Sequence, residues 1–427
     1  MVIMRWDGYP TRARNPVVTT GPPSLRYNNG RRTLQQTLYM IALIASALVT
    51  PLEKILDAVV LLDGNAIVEV FSRRGRELPT TIRSIDLGDA TLAPGFVDLH
   101  IHGGAGHDVM EGNEAALAAV ESLLAQHGVT SYYPTTVTAP LDQTLLALEQ
   151  LAKAIEKRKS VRLPRRARPL GIHLEGPFLS HSRRGVHPPE QLRAPSLELF
   201  EKFWQASSGT IRMMTIAPEL DGALEVIAEA RRRGVCVSLG HSDASLEQAQ
   251  RGIDAGGRHA THTFNAMRPL GHRDPGLLGA ILTDPRVTVD MIVDGVHLDP
   301  TIVNLVLKTK GNDAAVLITD ATAATGMPDG IYHLGPMEVE VKDGRCMSAG
   351  KLAGSVLTMD QAVRNVVRSA NWELQDAVRL ASYNPARVMG VETQYGVIRP
   401  GATADLVALS PAGEVRATTV GGVIEIA

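Results

Sequence analysis

From residue 91 onward the chain repeats one pattern: a short apolar run that ends in polar residues, then a helical stretch. TLAPGFVDLHIH is followed by NEAALAAVESLLAQHG, VTSYYPTTV by LDQTLLALEQLAKAIEKR, and VCVSLGHSD by SLEQAQRGIDAG. The alternation continues through PLGIHLEG, TIAPE, HATHTFNA, VTVDMIVDG and AAVLITDA. Strands that alternate with helices build βαβ units and a parallel sheet. About eight such units over roughly 300 residues predict an α/β fold, a (β/α)8 TIM-type barrel across residues 91–390. A doubly wound open sheet is the alternative, but no G-x-G-x-x-G opens a helix after the first strand.

Both flanks of the barrel read as β. LYMIALIASALV, from residue 38, and DAVVLLDGNAIVEV, with a turn at Asp63-Gly64-Asn65, give residues 40–90 their β character. YGVIRPGATADLVALSP and EVRATTVGGVIEIA fall within 391–427. Together they predict a small β-sandwich domain made from both chain ends. LYMIALIASALV, with Arg31 and Arg32 ahead of it, also has the look of a signal peptide. It is too short to span a bilayer, and the strand reading is preferred, with Met40 as a candidate start of translation. Residues 1–39, rich in Arg, Pro, Asn and Gly and without apolar periodicity, read as a disordered extension.

A formal net charge of −2, with no long basic or acidic block, gives no basis for a nucleic-acid surface. An anionic ligand must then be met by a few placed cations. Two cysteines, Cys236 and Cys346, make no disulfide framework and point to a reducing compartment.

In a parallel barrel the chemistry gathers where strands end and βα loops begin. Those positions carry His100 and His102 in DLHIHG, Glu175 in GIHLEGPF, His241 in SLGHSD, His262 in THTFNAM and Asp320 in LITDA. Alternate residues of a strand share a face, so the two imidazoles of the HxH pair would point the same way. Four imidazoles and two carboxylates form an N/O donor set suited to Zn²⁺ or Fe²⁺ more than to Mg²⁺ or Ca²⁺. A lone histidine is ordinarily a surface or packed residue. The weight lies in all of them falling at strand ends of one barrel.

GIHLEGPFLS, RRGVHPPEQL, LGHSDAS, THTFNAMRPLGHRDPGLLGA, VDGVHLDP, LITDATAATGMPDGIY and KLAGSVLTM follow one another in this order. On these blocks the chain resembles the metal-dependent amidohydrolase superfamily, and within it the N-acetylglucosamine-6-phosphate deacetylase family, over roughly residues 41–420. The resemblance implies hydrolysis of the acetamide of N-acetylglucosamine 6-phosphate to glucosamine 6-phosphate and acetate, in amino-sugar catabolism and recycling. Glu175, His241 and His262 would form the family's metal site, and His100 and His102 imply a second one bridged by Glu175, so one or two metals per subunit. Asp320 would take the proton of the attacking water and return it to the departing amine, while His187 polarises the carbonyl or holds the sugar. Arg273 and His297 match the family's phosphate positions. Val186, Asn265, Ala266, Leu352, Ala353, Gly354 and Ser355 would contact the sugar. The resemblance further implies a homodimer and a cytoplasmic enzyme with no membrane partner. Val186 and Thr263 differ from residues common in the family and bear on substrate breadth. His173, on the strand of Glu175, is open between an outer-sphere role and simple packing.

Overall fold

The computed structural model describes residues 40–160, 163 and 165–426, so the reading of residues 1–39 lies outside the described residues. Eight parallel strands form the barrel. They are β1 (Phe96–Ile101), β2 (Val129–Thr136), β3 (Ile172–Glu175), β4 (Ile211–Ile216), β5 (Cys236–Leu239), β6 (His259–Ala260), β7 (Thr288–Ile292) and β8 (Ala315–Ile318). Seven are followed by one helix each: α1 (Glu114–Gln126), α2 (Leu141–Ser160), α3 (Leu197–Ala206), α4 (Ala223–Arg232), α5 (Leu246–Ala255), α6 (Gly276–Thr283) and α7 (Pro300–Ala314). After β8 come α8 (Met359–Ala370), α9 (Leu374–Ala381) and α10 (Tyr383–Val388). The barrel expected from the alternation is present.

The barrel closes where β8 returns to β1. Asp320 N–H donates to His100 O at 2.9 Å, and His102 N–H donates to Ala321 O at 2.8 Å. Asp98, fully buried, ties this seam: its carboxylate accepts from Thr319 Oγ1 at 2.6 Å and from the Thr319 and His100 N–H groups at 3.3 Å each. Burial pushes Asp98 up to about 7, against the pull of those hydrogen bonds.

Inside the barrel, below the strand ends, the side chains are hydrogen-bonded rather than purely aliphatic. His173 Nε2 accepts from Thr215 Oγ1 at 2.8 Å, Thr215 meets Thr261 at 2.8 Å, and Thr261 meets Ser238 at 2.5 Å. A buried polar group costs free energy unless it is paired, and these groups pair with one another. His173 therefore belongs to this layer, with Nδ1 donating to Leu99 O at 3.1 Å.

The two chain ends do meet in one eight-stranded sheet, with Thr91–Pro94 between Leu406–Leu409 and Met40–Val49. Met40–Val49 is a strand, paired antiparallel with Lys54–Asp63. Leu43 and Ala45 pack on one of its faces with Val60, and Ala42 and Ile44 on the other with Val59. Burial of both faces explains why MIALIASALV reads as a nearly continuous apolar run, interrupted by the exposed Ser46. The Gly64-Asn65 turn is also present, between Asp63 and its partner Ala66. Among the described residues no helix is long and apolar enough to cross a membrane.

One element was not anticipated from the sequence. After β8 the chain forms a four-stranded antiparallel sheet, Gly330–Leu334, Met337–Lys342, Arg345–Ser348 and Lys351–Leu352. Its inner face packs Leu334, Val339, Val341 and Cys346 against Val137, which directly follows β2. Leu334 and Leu352 thereby reach the barrel mouth.

Candidate metal centre

His100 lies near the end of β1, His102 just past it, and Glu175 closes β3; His241, His262 and Asp320 each follow their strand by two residues. All six are buried, and they form two clusters of mutually close donor atoms: His100, His102 and Asp320, and Glu175, His241 and His262. Glu175 joins the two. Its Oε1 lies 3.3 Å from both His241 Nε2 and His262 Nε2, while Oε2 lies 3.4 Å from His100 Nε2 and 3.3 Å from His102 Nε2. Asp320 Oδ1 completes the first cluster, 3.2 Å from His102 Nε2 and 3.5 Å from His100 Nε2.

The other ring nitrogens reveal what the cluster is for. His102 Nδ1–H donates to Thr135 O at 3.0 Å, His241 Nδ1–H to Arg183 O at 2.9 Å, and His262 Nδ1–H to Asn265 O at 3.2 Å. In the neutral tautomer each Nε2 then presents a lone pair. The His241 and His262 Nε2 atoms stand 3.0 Å apart, and those of His100 and His102 3.1 Å apart. Nitrogens so close need a proton or a metal cation between them. Imidazoles oriented by carbonyl acceptors are the arrangement of metal ligands with their outer sphere in place. The residues present fit one or two divalent metals.

The carboxylates agree. Burial pushes Glu175 up, but the surrounding imidazoles hold it well below the usual carboxylate range. Asp320 is likewise pushed up by burial and brought down to about 2 by His100 and His102. Burial pushes His262 down, and Glu175 overrides this to bring it to about 9. The cluster is built to hold positive charge, and a metal there would displace protons on binding.

His187 faces the same carboxylate, Nε2 to Glu175 Oε2 at 3.7 Å. Its Nδ1 accepts from Thr138 N–H at 3.3 Å and lies 2.8 Å from Thr138 Oγ1. Burial drives His187 down to about 3, so the ring is neutral near pH 7, and with Nδ1 occupied as acceptor the proton resides on Nε2. The site therefore contains a neutral N–H donor.

The cavity above the ligands has a volume of about 170 Å³. Of the residues expected from sequence, His102, Glu175, Val186, His187, His241, His262, Asn265, Ala266, His297, Asp320, Leu352 and Gly354 line it. His297 is oriented by Asp294, whose Oδ2 accepts from Nδ1–H at 2.7 Å. Four expected residues lie elsewhere. His100 sits below the cavity floor, fully buried. Ala353 packs into the apolar cluster of the four-stranded sheet. Ser355 turns away, its hydroxyl donating to Thr319 O at 2.6 Å and its N–H to Asp320 O at 2.7 Å, so it braces Asp320 from behind. Arg273 is exposed on the loop before α6, outside the cavity lining. Sequence reasoning passed over Thr138, Val137, Gly185 and Leu334. Thr138 acts through His187, and Leu334 is brought in by the sheet that was not foreseen.

Three members of these clusters sit in left-handed backbone: His241 at φ 46°, His262 at φ 30° and Asp320 at φ 50°. Such conformations cost of order 1–3 kcal/mol each and persist only where the surroundings fix them. Behind His241 the fixing group is Glu219, which accepts from Ser242 Oγ at 2.7 Å and from Asp243 N–H at 2.6 Å.

Comparison with known proteins agrees with this geometry. The amidohydrolase family profile matches residues 91–424. An N-acetylglucosamine-6-phosphate deacetylase of Vibrio furnissii is 38% identical over 86% of this chain and 90% of its own length. An N-acetylgalactosamine-6-phosphate deacetylase of Escherichia coli O157:H7 is 40% identical over 74% of this chain and 83% of its own. A mutant N-acetyl-D-glucosamine-6-phosphate deacetylase from Mycobacterium smegmatis, solved with N-acetyl-D-glucosamine-6-phosphate, superposes with a TM-score of 0.84 at 38% identity, covering 91% of this chain and all of that one. This chain belongs to the amidohydrolase family, in the sugar-phosphate deacetylase branch that these relatives represent.

Proposed function

We propose that this protein hydrolyses the acetamide of N-acetylglucosamine 6-phosphate to glucosamine 6-phosphate and acetate, in amino-sugar catabolism. The observation that carries the reading is Glu175, with one oxygen toward each imidazole pair and Asp320 beside one of them. A divalent metal bound there, Zn²⁺ or Fe²⁺ by the donor set, would make water a usable nucleophile near neutral pH and polarise the acetyl carbonyl.

The chain's own residues do the rest. Asp320, ionised and buried, accepts the proton of the attacking water and delivers it to the amide nitrogen, which must be protonated before it can leave. His187 Nε2–H donates to the carbonyl oxygen as negative charge develops there. Asn265, Ala266, Val186 and Leu352 hold the sugar, and His297 meets the phosphate. Arg273, exposed outside its own cavity, serves the phosphate of a neighbouring subunit in a homodimer. Only monomer in light scattering at micromolar concentration would remove that role. A phosphorylated substrate supports a cytoplasmic location for the enzyme.

The test is acetate release by the metal-loaded protein from four compounds: N-acetylglucosamine and N-acetylgalactosamine, each with and without the 6-phosphate. The gluco phosphate is expected to react fastest. Preference for the galacto phosphate corrects the sugar and keeps the reaction. Equal rates with and without phosphate discard the His297 and Arg273 assignments. His187→Phe is expected to lower kcat by about 100-fold with little change in KM, the loss typical of one donor to a developing oxyanion. An unchanged kcat would reassign the residue to packing.

A further inference from the structure

We propose that Asp290 is a positioning residue for His262, its carboxylate standing in for a missing strand carbonyl and holding that ligand in its left-handed turn. The inference rests on the metal-site reading above.

β6 is only two residues long, and its ladder with β7 ends at Ala260 and Val289. The chain then turns sharply at His262, φ 30°, and among the described residues no backbone carbonyl accepts the His262 N–H. Asp290, the next residue of β7, supplies the acceptor: its Oδ1 takes the His262 N–H. Its own carbonyl takes Thr263 N–H at 3.0 Å. Side chain and backbone of one residue thus continue the ladder past the point where the backbone alone stops.

The carboxylate is itself braced. Oδ2 accepts from His259 Nε2–H at 3.0 Å, and His259 Nδ1 lies 2.6 Å from Thr288 Oγ1, which donates to Arg258 O at 3.2 Å. Asp290 and His259 are both fully buried, and neither lines the cavity nor belongs to the ligand clusters. Their effect on the centre runs through the His262 backbone. With the amide held, the ring lands with Nε2 3.0 Å from His241 Nε2 and 3.3 Å from Glu175 Oε1. Without it, the amide is buried and unpaired, and the turn relaxes toward an ordinary φ that carries the ring out of the cluster.

The test is titration of the metal-stripped full chain with Co²⁺, following affinity and the visible d–d spectrum. Asp290→Ala is expected to weaken Co²⁺ binding by about 10–100-fold, the usual loss for an outer-sphere group, and to change the spectrum. Asp290→Asn keeps an oxygen for the His262 amide, and His259 can switch tautomer to meet the new NH₂. It is expected to stay within about threefold of wild type, which a charge effect would not allow. Wild-type affinity and spectrum in Asp290→Ala overturn the proposal, and so does an equal loss in Asp290→Asn. If Asp290→Ala does not fold, Asp290→Val, similar in volume and suited to a strand, replaces it. If neither folds, Asp290→Asn decides alone: retained affinity supports the brace, and a tenfold loss overturns it. Wild-type protein that takes up no Co²⁺ sinks the metal reading itself, a result distinct from any of these.

Discussion

Asp320→Asn is expected to lower kcat for acetate release by about 1,000-fold, near the middle of the range for general acid–base groups, with KM changed by no more than about threefold. That loss corresponds to about 4 kcal/mol of barrier. Asparagine preserves the shape and one oxygen toward His100 and His102, so binding should survive. What it cannot do is carry a proton from water to nitrogen. The low position of Asp320, about 2 in the field of the imidazoles, favours the second half of that transfer. A carboxyl that readily loses its proton is a strong acid toward an amide nitrogen, and expulsion of the amine is the harder step. Steady-state rates with metal content checked in the same samples decide the matter. Near-wild-type turnover would assign the proton to another group.

The second large effect is expected at Glu175. Replacement by Gln keeps the volume but removes the carboxylate that touches both imidazole pairs, and sets an NH₂ donor against one of them. Metal affinity should fall by more than the 100-fold upper range of outer-sphere changes, and metal retained after dialysis should drop at both clusters together. Loss at one cluster alone, measured by elemental analysis, would show that the carboxylate belongs to that cluster only. Full retention at both would remove Glu175 from the ligand set.

Much of this centre is legible in the sequence because a strand's period fixes which side chains face inward. The barrel's topology then fixes where inward-facing strand ends converge. His100 and Glu175 needed nothing else, and His102 lies one residue beyond; His241, His262 and Asp320 lie two residues past their strands and were found by their place at the strand ends. The four-stranded sheet was legible too: MEVEVKDGRC alternates strictly, and a turn at Asp343-Gly344 joins two of its strands. It was missed because its strands are short and half exposed, and so look like loop text. The supporting residues were not legible. Thr138 meets His187 across 49 positions, and Asp290 meets His262 across 28. No local pattern announces a carboxylate whose partner is a backbone amide on another strand. Ser355 fails for a related reason, since a motif gives residue identity and says nothing of which way a short loop turns its side chains.

The barrel's seam has a consequence for how the enzyme is made. His100 and His102 emerge early in synthesis, but the group that locks their strand to the last one, Asp98, finds its partner Thr319 221 residues later. Asp320, adjacent to Thr319, arrives with it. The segment that closes the ring therefore also brings the last of the six clustered residues. A nascent or truncated chain lacking β8 has neither the Thr319 that Asp98 binds nor the aspartate proposed to carry the proton.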